Sequence, residues 1–267
     1  MATYEMIKVL LAAGAKVYRV CPKCRFERRG DDASDPGTCP ACGLVFAKWV
    51  GSALGRMPPA RRKADDGDYG WLALLAARIF YVEPHAPAPV FWGRALLYVV
   101  FFLWGWSFIV MESRNPEIMQ SFMHRIDLVF HEAGHVLFMP FGRFMTILGG
   151  SLAQLIMPVV AMCALIVTNR DNFGASLALW WLGQSFMDLA PYIADARALQ
   201  LPLLGGGTGA DRPGSHDWEN LLLDLNLIHR DLQIGSGTHI LGAAIMLISM
   251  AWGAYLLLMQ YRSLDRT

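Results

Sequence analysis

Charged residues are scarce in this chain: they make up 17% of its 267 residues, whereas 55% of the residues are hydrophobic. A soluble globular domain of this size normally carries about a quarter of charged residues, so the shortage argues against such a domain and favours a membrane protein. Positive and negative side chains nearly cancel, with a formal net charge of +1. Bulk electrostatic attraction therefore gives no reason to expect a nucleic-acid partner.

Cysteine is also rare, and its placement argues against a disulfide framework. Four of the five cysteines form two close pairs, Cys21 with Cys24 and Cys39 with Cys42, and the fifth lies alone in an apolar stretch. Two such pairs can present four thiolates to one zinc ion in a closed tetrahedral site. The pattern predicts a structural zinc ion in a small zinc-ribbon domain that covers residues 1–50.

The surroundings of the cysteine pairs bear on what the ribbon binds. Arg25, Arg28 and Arg29 follow the first pair, but acidic residues stand among and after them. Mixed charge of this kind is typical of a solvated face rather than of a nucleic-acid site. We expect the ribbon to dock or sense a cytosolic protein partner. The oligomeric state is left open.

A polar stretch separates the ribbon from the apolar part of the chain. Residues 51–68 combine glycine, proline and mixed charge, which is typical of a linker, and residues 69–82 are short and aromatic, which suits a helix at the membrane interface. The segment 51–90 is therefore expected to hold a linker and an interfacial helix. No removable signal peptide is expected from the first 20 residues.

Long apolar runs fill the rest of the chain. Crossing a membrane takes roughly 20 residues of helix, and four runs approach that length: 91–111, 146–168, 174–194 and 237–259. A fifth run, about 122–140, is less apolar. The expected fold is an all-α polytopic membrane protein with about five transmembrane helices over residues 91–260, preceded by the small zinc ribbon.

The distribution of basic residues predicts how the chain is oriented. Arg61, Arg62, Lys63 and Arg78 come shortly before the first span, and Arg94 lies at its start. Because positive residues accumulate on the cytoplasmic side, they place the ribbon in the cytoplasm. Arg262 and Arg266 favour the cytoplasm for the other end, which five spans cannot satisfy. Three explanations stay open: a re-entrant segment, an interfacial helix that enters the membrane, or C-terminal charges that are overridden.

A glycine-rich loop precedes the last span. Residues 202–236 open with four glycines and continue as SHDWENLLLDLNLIHRD, with apolar residues on one helical face. The pattern predicts a flexible hinge followed by an amphipathic surface helix. Such a loop either skims the membrane or serves as a substrate lid.

The run 122–140 contains the sequence His131-Glu132-Ala-Gly-His135. Residues four apart share one face of a helix, so both imidazoles can reach one zinc ion, while Glu132 can take a proton from an activated water. Two histidines and a glutamate in an apolar span are costly unless they are paired or bind a metal. The motif predicts a catalytic zinc site, with a purely structural knot between helices as the alternative.

A catalytic zinc ion usually has a third protein ligand, and three side chains are candidates for it. Asp188 and Asp195 flank Pro191 at the end of the run 174–194, and His216 lies in the later loop. A proline can break a helix, and unwound backbone at membrane depth is tolerated where it lines a polar cavity. Either aspartate, or the histidine folded inward, can complete the site.

HEAGH in a membrane helix, a glycine-rich next span and a later Pro-to-Asp element resemble the site-2 protease family of intramembrane metalloproteases. Family members carry an Asn-x-x-Pro stretch followed by Asp-Gly, whose aspartate is the third zinc ligand. The resemblance puts Asp188 at the asparagine, Pro191 at the proline and Asp195 at the ligand, with Ala196 in place of the glycine. It therefore favours Asp195 as the ligand and Asp188 as an outer partner that orients a ligand imidazole.

The glycine-rich span after the HEAGH helix is the second part of the resemblance. Gly149, Gly150, Ser151 and Ala153 allow close helix packing. The resemblance gives Gln154 a role in hydrogen bonding to an extended substrate backbone. Small residues in a membrane helix also serve packing alone.

The resemblance covers roughly residues 120–200 and implies an intramembrane zinc endopeptidase that hydrolyses peptide bonds in or near transmembrane segments of other proteins, with Glu132 as general base. One catalytic and one structural Zn²⁺ are expected.

The alternative is a non-proteolytic membrane sensor or scaffold that binds zinc and whose ribbon recruits a cytosolic partner. A metal transporter is a further alternative, but it would need polar residues along several spans. Glu132 discriminates, because hydrolysis needs it and binding does not.

Overall fold

The computed structural model divides the chain into two compact units, Met1–Tyr69 and Gly70–Thr267. The interfacial segment expected around 69–82 thus belongs to the unit that holds the apolar runs. The linker predicted over 51–68 lies outside the residues that the structure describes. The described residues are 20–27, 35, 37–46, 70–82 and 87–264.

Helices dominate the described part of the second unit, and the strand-like contacts in the described residues are isolated β-bridges. The helices are α1 (Trp71–Ile79), α2 (Ala88–Ile109), α3 (Phe122–Phe138), α4 (Arg143–Ala164), α5 (Asn172–Ala194), α6 (Asp217–Asp224) and α7 (Asp231–Arg262). A π-helical segment, Leu165–Asn169, extends α4. Short 3-10 turns lie at Pro116–Gln120, Met139–Phe141 and Ile228–Arg230.

Polar side chains cap the starts of α3 and α5. The Ser121 hydroxyl accepts the N–H of His124 at the start of α3, and the Asp171 carboxylate accepts the N–H of Gly174 at the start of α5. Such caps satisfy backbone donors that have no partner within the helix. The chain therefore enters both helices at a defined residue.

Three stretches are long and apolar enough to cross a membrane among the described residues: Ala88–Ile109, Arg143–Asn169 and Ile228–Arg262. They contain or overlap the runs predicted over 91–111, 146–168 and 237–259, so the membrane-protein expectation is confirmed for these three. Helix α5 forms where the span 174–194 was expected, but much of it is buried by its neighbours. Helix α3 has 17 residues, fewer than a spanning helix usually needs.

Helix α5 lies at the centre and packs along α7 through small residues. A side chain on Gly183 would come within 2.8 Å of the Gly242 carbonyl oxygen, and one on Gly235 within 2.8 Å of the Ala190 carbonyl oxygen. Backbones that approach this closely are typical of helix pairs in membranes. Beside this contact, Trp180 forms the middle of a cluster of large buried apolar side chains.

Helices α3 and α4 form a second close pair. A side chain on Gly149 would come within 2.7 Å of the Gly134 carbonyl oxygen and 2.6 Å of Phe138 Cβ. The close packing expected from the glycine-rich span is therefore present at this crossing. It brings the histidines of α3 against α4.

Helix α1 packs across the end of α4 and the start of α5. The Asn172 side-chain amide donates to the carbonyl oxygens of Arg78 and Tyr81, and the Arg78 guanidinium donates to the Val167 carbonyl oxygen at 2.7 Å. The opposite side of α1 exposes Trp71 and other apolar side chains. This amphipathic arrangement suits the interfacial helix expected there.

Candidate metal centre

Helix α3 has two different sides. Asp127, His131 and Gly134 are buried on its inner side. On its outer side Phe122 and Val129, seven residues apart, are 64% and 66% exposed. The helix therefore turns Asp127 and His131 toward α4 and α5 and exposes Phe122 and Val129 on the opposite side, as expected for a helix that faces lipid.

Both histidines of the motif meet one carboxylate. Asp217 Oδ2 lies 3.1 Å from His131 Nε2 and 3.3 Å from His135 Nε2. One donor atom from each of the three residues lies within 4.8 Å of the others, a group that can hold a metal ion. Two imidazoles and one carboxylate, with room for a further ligand, are a typical donor set for catalytic zinc.

The outer nitrogens of the two imidazoles have defined partners. His131 Nδ1 lies 3.2 Å from Gln154 Oε1, and His135 Nδ1 lies 2.9 Å from the Thr146 carbonyl oxygen. Because these oxygens only accept hydrogen bonds, each Nδ1 carries the proton and donates it. In a neutral imidazole each Nε2 then has a free lone pair, and both Nε2 atoms face Asp217 Oδ2. Either protons on the Nε2 atoms or a metal ion can bridge these three atoms, and neutral imidazoles held in this way by their Nδ1 partners are suited to bind a metal.

The charge of Asp217 suits the same role. Burial alone would raise the pKa of this carboxyl, but the imidazoles of His131 and His135 outweigh that effect and lower the pKa to about 2. The side chain is therefore a carboxylate at neutral pH. A metal ligand must be deprotonated, and Asp217 meets that condition without further change.

Gly150 provides the space next to the ligand nitrogens. A side chain at this position would come within 2.6 Å of His131 Nε2 and 2.7 Å of His135 Nε2. We expect Gly150→Ala to displace the imidazoles and to weaken zinc binding by about 10-fold or more, as happens when ligand orientation is disturbed. The measurement is zinc retention by the purified protein against a graded series of chelator concentrations.

The matched control for that prediction is Gly237→Ala. A side chain there would meet nothing within 4 Å among the described residues. The control variant should retain zinc like the parent protein. Equal retention by Gly150→Ala would contradict the placement of the metal beside Gly150.

Asp217 is positioned by the start of α6. The His216 imidazole caps this helix, because its Nδ1 accepts the N–H of Glu219 at 3.1 Å. The Tyr192 hydroxyl accepts the N–H of Asp217 at 3.1 Å. His216 is fully buried, so the start of α6 is held firmly. His216, a candidate ligand from the sequence, therefore positions its neighbour Asp217, which belongs to the group that can hold a metal.

The structure replaces Asp195 by Asp217 as the third member of the metal group. The Asp195 carboxylate accepts the N–H groups of Gln200 and Leu201 at 3.0 and 2.9 Å and faces His216 Nε2 at 3.6 Å. Burial alone would raise the pKa of Asp195. Hydrogen bonds from His216 and the two backbone amides have a larger opposite effect, so the pKa is lower than usual. Asp195 thus stabilises the loop and His216 rather than reaching the histidines of α3.

The reason for this difference is that Pro191 does not break α5. The helix continues through Pro191 to Ala194, and Asp195 is the residue that ends it. Its side chain therefore turns toward the following loop. The chain then passes through residues 196–216 before Asp217 returns to the histidines.

Asp188 and Gln154 form the outer layer of the site. The Gln154 amide donates to Asp188 Oδ2 at 3.0 Å, while its carbonyl accepts from His131. The Asp188 carboxylate also accepts from His124 Nδ1 at 2.9 Å. Asp188 therefore reaches His131 through Gln154, and it is not a member of the group formed by His131, His135 and Asp217. With both ends of its amide engaged, Gln154 orients His131, and the substrate-binding role expected for it is not supported by this geometry.

A cavity of about 420 Å³ adjoins the metal group. Glu132 is exposed on it, next to His131 and His135. Leu203, Leu204 and other apolar side chains line the cavity together with polar groups. The arrangement places a carboxylate that can move protons beside a site that can hold a metal, with space for a substrate.

The four cysteines of the first unit form a separate group that can hold a metal. Cys21 Sγ lies 3.7 Å from Cys42 Sγ, and Cys24 Sγ lies 3.7 Å from Cys39 Sγ. Four thiolates around one zinc ion, with Zn–S bonds of about 2.3 Å, have sulfurs about 3.8 Å apart. The Gly43 N–H donates to the Cys39 carbonyl in a tight turn. The cluster is compatible with the zinc ribbon expected from the cysteine spacing.

Cys39→Ser should therefore remove about one zinc ion per chain, because it takes one thiolate from a closed four-sulfur site. Metal analysis of the purified full-length protein measures this. Cys163→Ser is the matched control, since Cys163 lies on α4 outside the cluster, and it should leave the zinc content unchanged. If the two variants contain equal zinc, the ribbon interpretation fails.

Asp217 is the one member of the metal group that sequence reasoning did not name. A usable signal was present, since a helix start is indicated at His216-Asp217-Trp218-Glu219 by a capping residue and early acidic residues.

Comparison with models of protein families, with curated proteins and with solved structures gives no match to this chain.

Proposed function

We propose that this protein is a membrane-embedded zinc endopeptidase, similar to the site-2 protease family, that hydrolyses peptide bonds in or near transmembrane segments of other proteins. The observation that carries the proposal is the cluster of His131, His135 and Asp217 beside Glu132 on one cavity. This cluster belongs to a unit whose long helices are apolar enough for a membrane. The side chains that would bind zinc, the carboxylate that would act as the base and the cavity that would admit a substrate therefore lie at one place.

The chemistry assigned to each group follows from its position. Zinc, when held by His131, His135 and Asp217, supplies Lewis acidity that makes water a stronger nucleophile at neutral pH. Glu132 accepts a proton from the attacking water as the oxygen adds to the peptide carbonyl carbon. The same carboxyl then gives the proton to the amide nitrogen as the C–N bond breaks. Water is thus divided between a new carboxyl group and a new amine.

The outer contacts preserve the geometry that this reaction needs. Thr146 and Gln154 hold the protonated Nδ1 atoms of the two ligand histidines, and Asp188 holds Gln154. Partners of this kind fix the direction of each ligand nitrogen and raise its basicity. Replacing them should weaken metal binding without removing a ligand.

The membrane arrangement belongs to the same proposal. Helices α2, α3, α4, α5 and α7 form the membrane part, with α3 contributing its apolar outer stripe. The cysteine cluster is a zinc ribbon in the cytoplasm, where it docks a protein partner. The protein accordingly holds two Zn²⁺ ions, one catalytic and one structural.

A non-proteolytic zinc sensor is the rival function. It would need the three metal donors but not Glu132, and it would need no cavity next to the metal. Because Glu132 and the cavity both lie beside the metal group, hydrolysis is favoured over sensing.

Removal and return of zinc tests the proposed activity. New protein N-termini should form in membranes that contain the protein, disappear after chelation and reappear when zinc is added, because the reaction depends on the metal. Mass spectrometry of N-terminal peptides measures them. Cleavage that persists in chelator while the purified protein is shown to be free of zinc would contradict the proposal.

A further inference from the structure

The four long helices of the second unit alternate in direction, and one set of their ends meets at a single face. Phe91 near the start of α2, Phe173 at the start of α5 and Leu257 near the end of α7 form one buried cluster. The Arg78 side chain, just before α2, reaches the Val167 carbonyl at the end of the extended α4. We call this the chain-end face; it comprises residues 70–82, 87–94, 165–173 and 257–264.

The other set of ends meets at a second face. Ser113, just after α2, lies 3.1 Å from Ser236 at the start of α7, measured between the hydroxyl oxygens. Arg143, which begins α4, pairs with Asp224 at the end of α6 at 2.7 Å. We call this the loop face; it comprises residues 110–121, 139–143, 195–215 and 224–236.

Helix α3 begins and ends at the loop face. It follows the segment after α2 and leads through the turn Met139–Phe141 directly into α4. Because α2 ends and α4 begins at the loop face, α3 does not connect the two faces. Of the described helices, α2, α4, α5 and α7 then connect the two faces, so Trp71 and Arg262 lie on the same side. This resolves the conflict between the basic residues at the two ends, because the segment that does not cross is α3.

The cavity belongs to the loop face. Pro202, Leu203 and Arg212 line it, and all three lie in the connection between α5 and α6. The Trp218 indole N–H donates to the Ser151 hydroxyl at 3.2 Å, which fixes the start of α6 against α4. Ser151 comes eight residues after Arg143, or about 12 Å along the helix axis. The metal group thus lies roughly that far below the loop face.

We infer that the cavity is reached from the loop face, on the side of the bilayer opposite the chain-end face. Its substrates are extended, partly apolar segments of membrane proteins on the loop-face side. The substrate class rests on the proposed function, whereas the side of access rests on the helix directions alone. The segment must be extended because backbone hydrogen bonds enclose the amides of an intact helix. The apolar lining next to Leu203 and Leu204 suits apolar substrate side chains.

Labelling of single introduced cysteines tests the side of access. Ala210→Cys marks the loop face and Asn169→Cys marks the chain-end face, and both positions are exposed. Each change is made in the full-length Cys163→Ser protein, whose remaining cysteines provide the background signal. A membrane-impermeant maleimide is applied to intact cells and again after permeabilisation, and labelling of denatured protein confirms that each cysteine can react.

One introduced cysteine should react in intact cells and the other only after permeabilisation. Reaction of both from the same side would overturn the inference. The labelling does not require activity, so it can be repeated with Glu132→Gln present. Failure of the proposed function would leave this result unchanged.

Removal of metal from one side tests access to the cavity itself. The protein is placed in sealed vesicles of known orientation and exposed to external EDTA, and the zinc lost is compared with that lost by Asp217→Ala. The zinc that the parent protein binds in excess of Asp217→Ala should be lost to EDTA only when Ala210 faces the outside of the vesicle. Its loss only when Asn169 faces outward would overturn the inference. Equal zinc in parent and Asp217→Ala would instead contradict the proposed metal site, and the labelling would still decide the side.

Discussion

Glu132→Gln is expected to lower peptide-bond hydrolysis by about 10²–10⁴-fold, the range typical for loss of a general base. Glutamine keeps the size of the side chain but cannot accept a proton from the attacking water. Glu132 is not among the three metal donors, so zinc content should stay close to that of the parent protein. The measurement is the rate at which new protein N-termini appear in membranes that contain each variant.

Glu112→Gln is the matched control for this substitution. Glu112 lies after α2 and binds Arg114 at 2.9 Å, and it does not line the cavity. Its replacement should leave the rate unchanged. Undiminished hydrolysis by Glu132→Gln would remove Glu132 from the mechanism, whereas loss of zinc in that variant would give it a role in metal binding.

The second large effect is expected at the third metal donor. Asp217→Ala should lose the catalytic zinc, because it removes one of three ligands and leaves the two imidazoles without a negative partner. Changes to outer partners alone cost about 10–100-fold in metal affinity, so loss of a ligand should exceed that range. Zinc per chain, corrected for the cysteine cluster with Cys39→Ser, gives the measurement.

Asp195→Asn is the informative companion to that variant. Asp195 contacts His216 and two backbone amides, so its replacement should loosen the start of α6 and retain most of the zinc. Asp188→Asn should also retain zinc, with reduced affinity, because it acts through Gln154. Complete zinc loss in Asp195→Asn together with full retention in Asp217→Ala would return the ligand role to Asp195.

Local patterns predicted most of the helices and two of the three metal donors. Apolar runs identify α2, α4 and α7 because each is long and carries few charges, which depends on composition alone. His131 and His135 meet at one point because residues four apart share a helix face. Such features depend on neighbours along the chain, so one sequence is enough to find them.

The third donor depended on tertiary structure. Asp217 follows a connection of 22 residues after Ala194, and no local rule states where such a connection returns. Pro191 was expected to unwind α5, but the helix continues through it and packs against α7, which shows that packing prevailed over the local preference. Gln154 was expected to face substrate, and only the position of Asp188 on α5 shows that its amide is engaged on both sides.

The most direct test of the central claim is the position of zinc in the full-length protein, measured by anomalous diffraction at the zinc absorption edge. A peak between His131 Nε2, His135 Nε2 and Asp217 Oδ2, next to Glu132 and separate from the peak at the cysteine cluster, is the expected result. A peak at Asp195 and His216, or no second peak in protein crystallised with excess zinc, would contradict the claim that these three residues hold a catalytic metal.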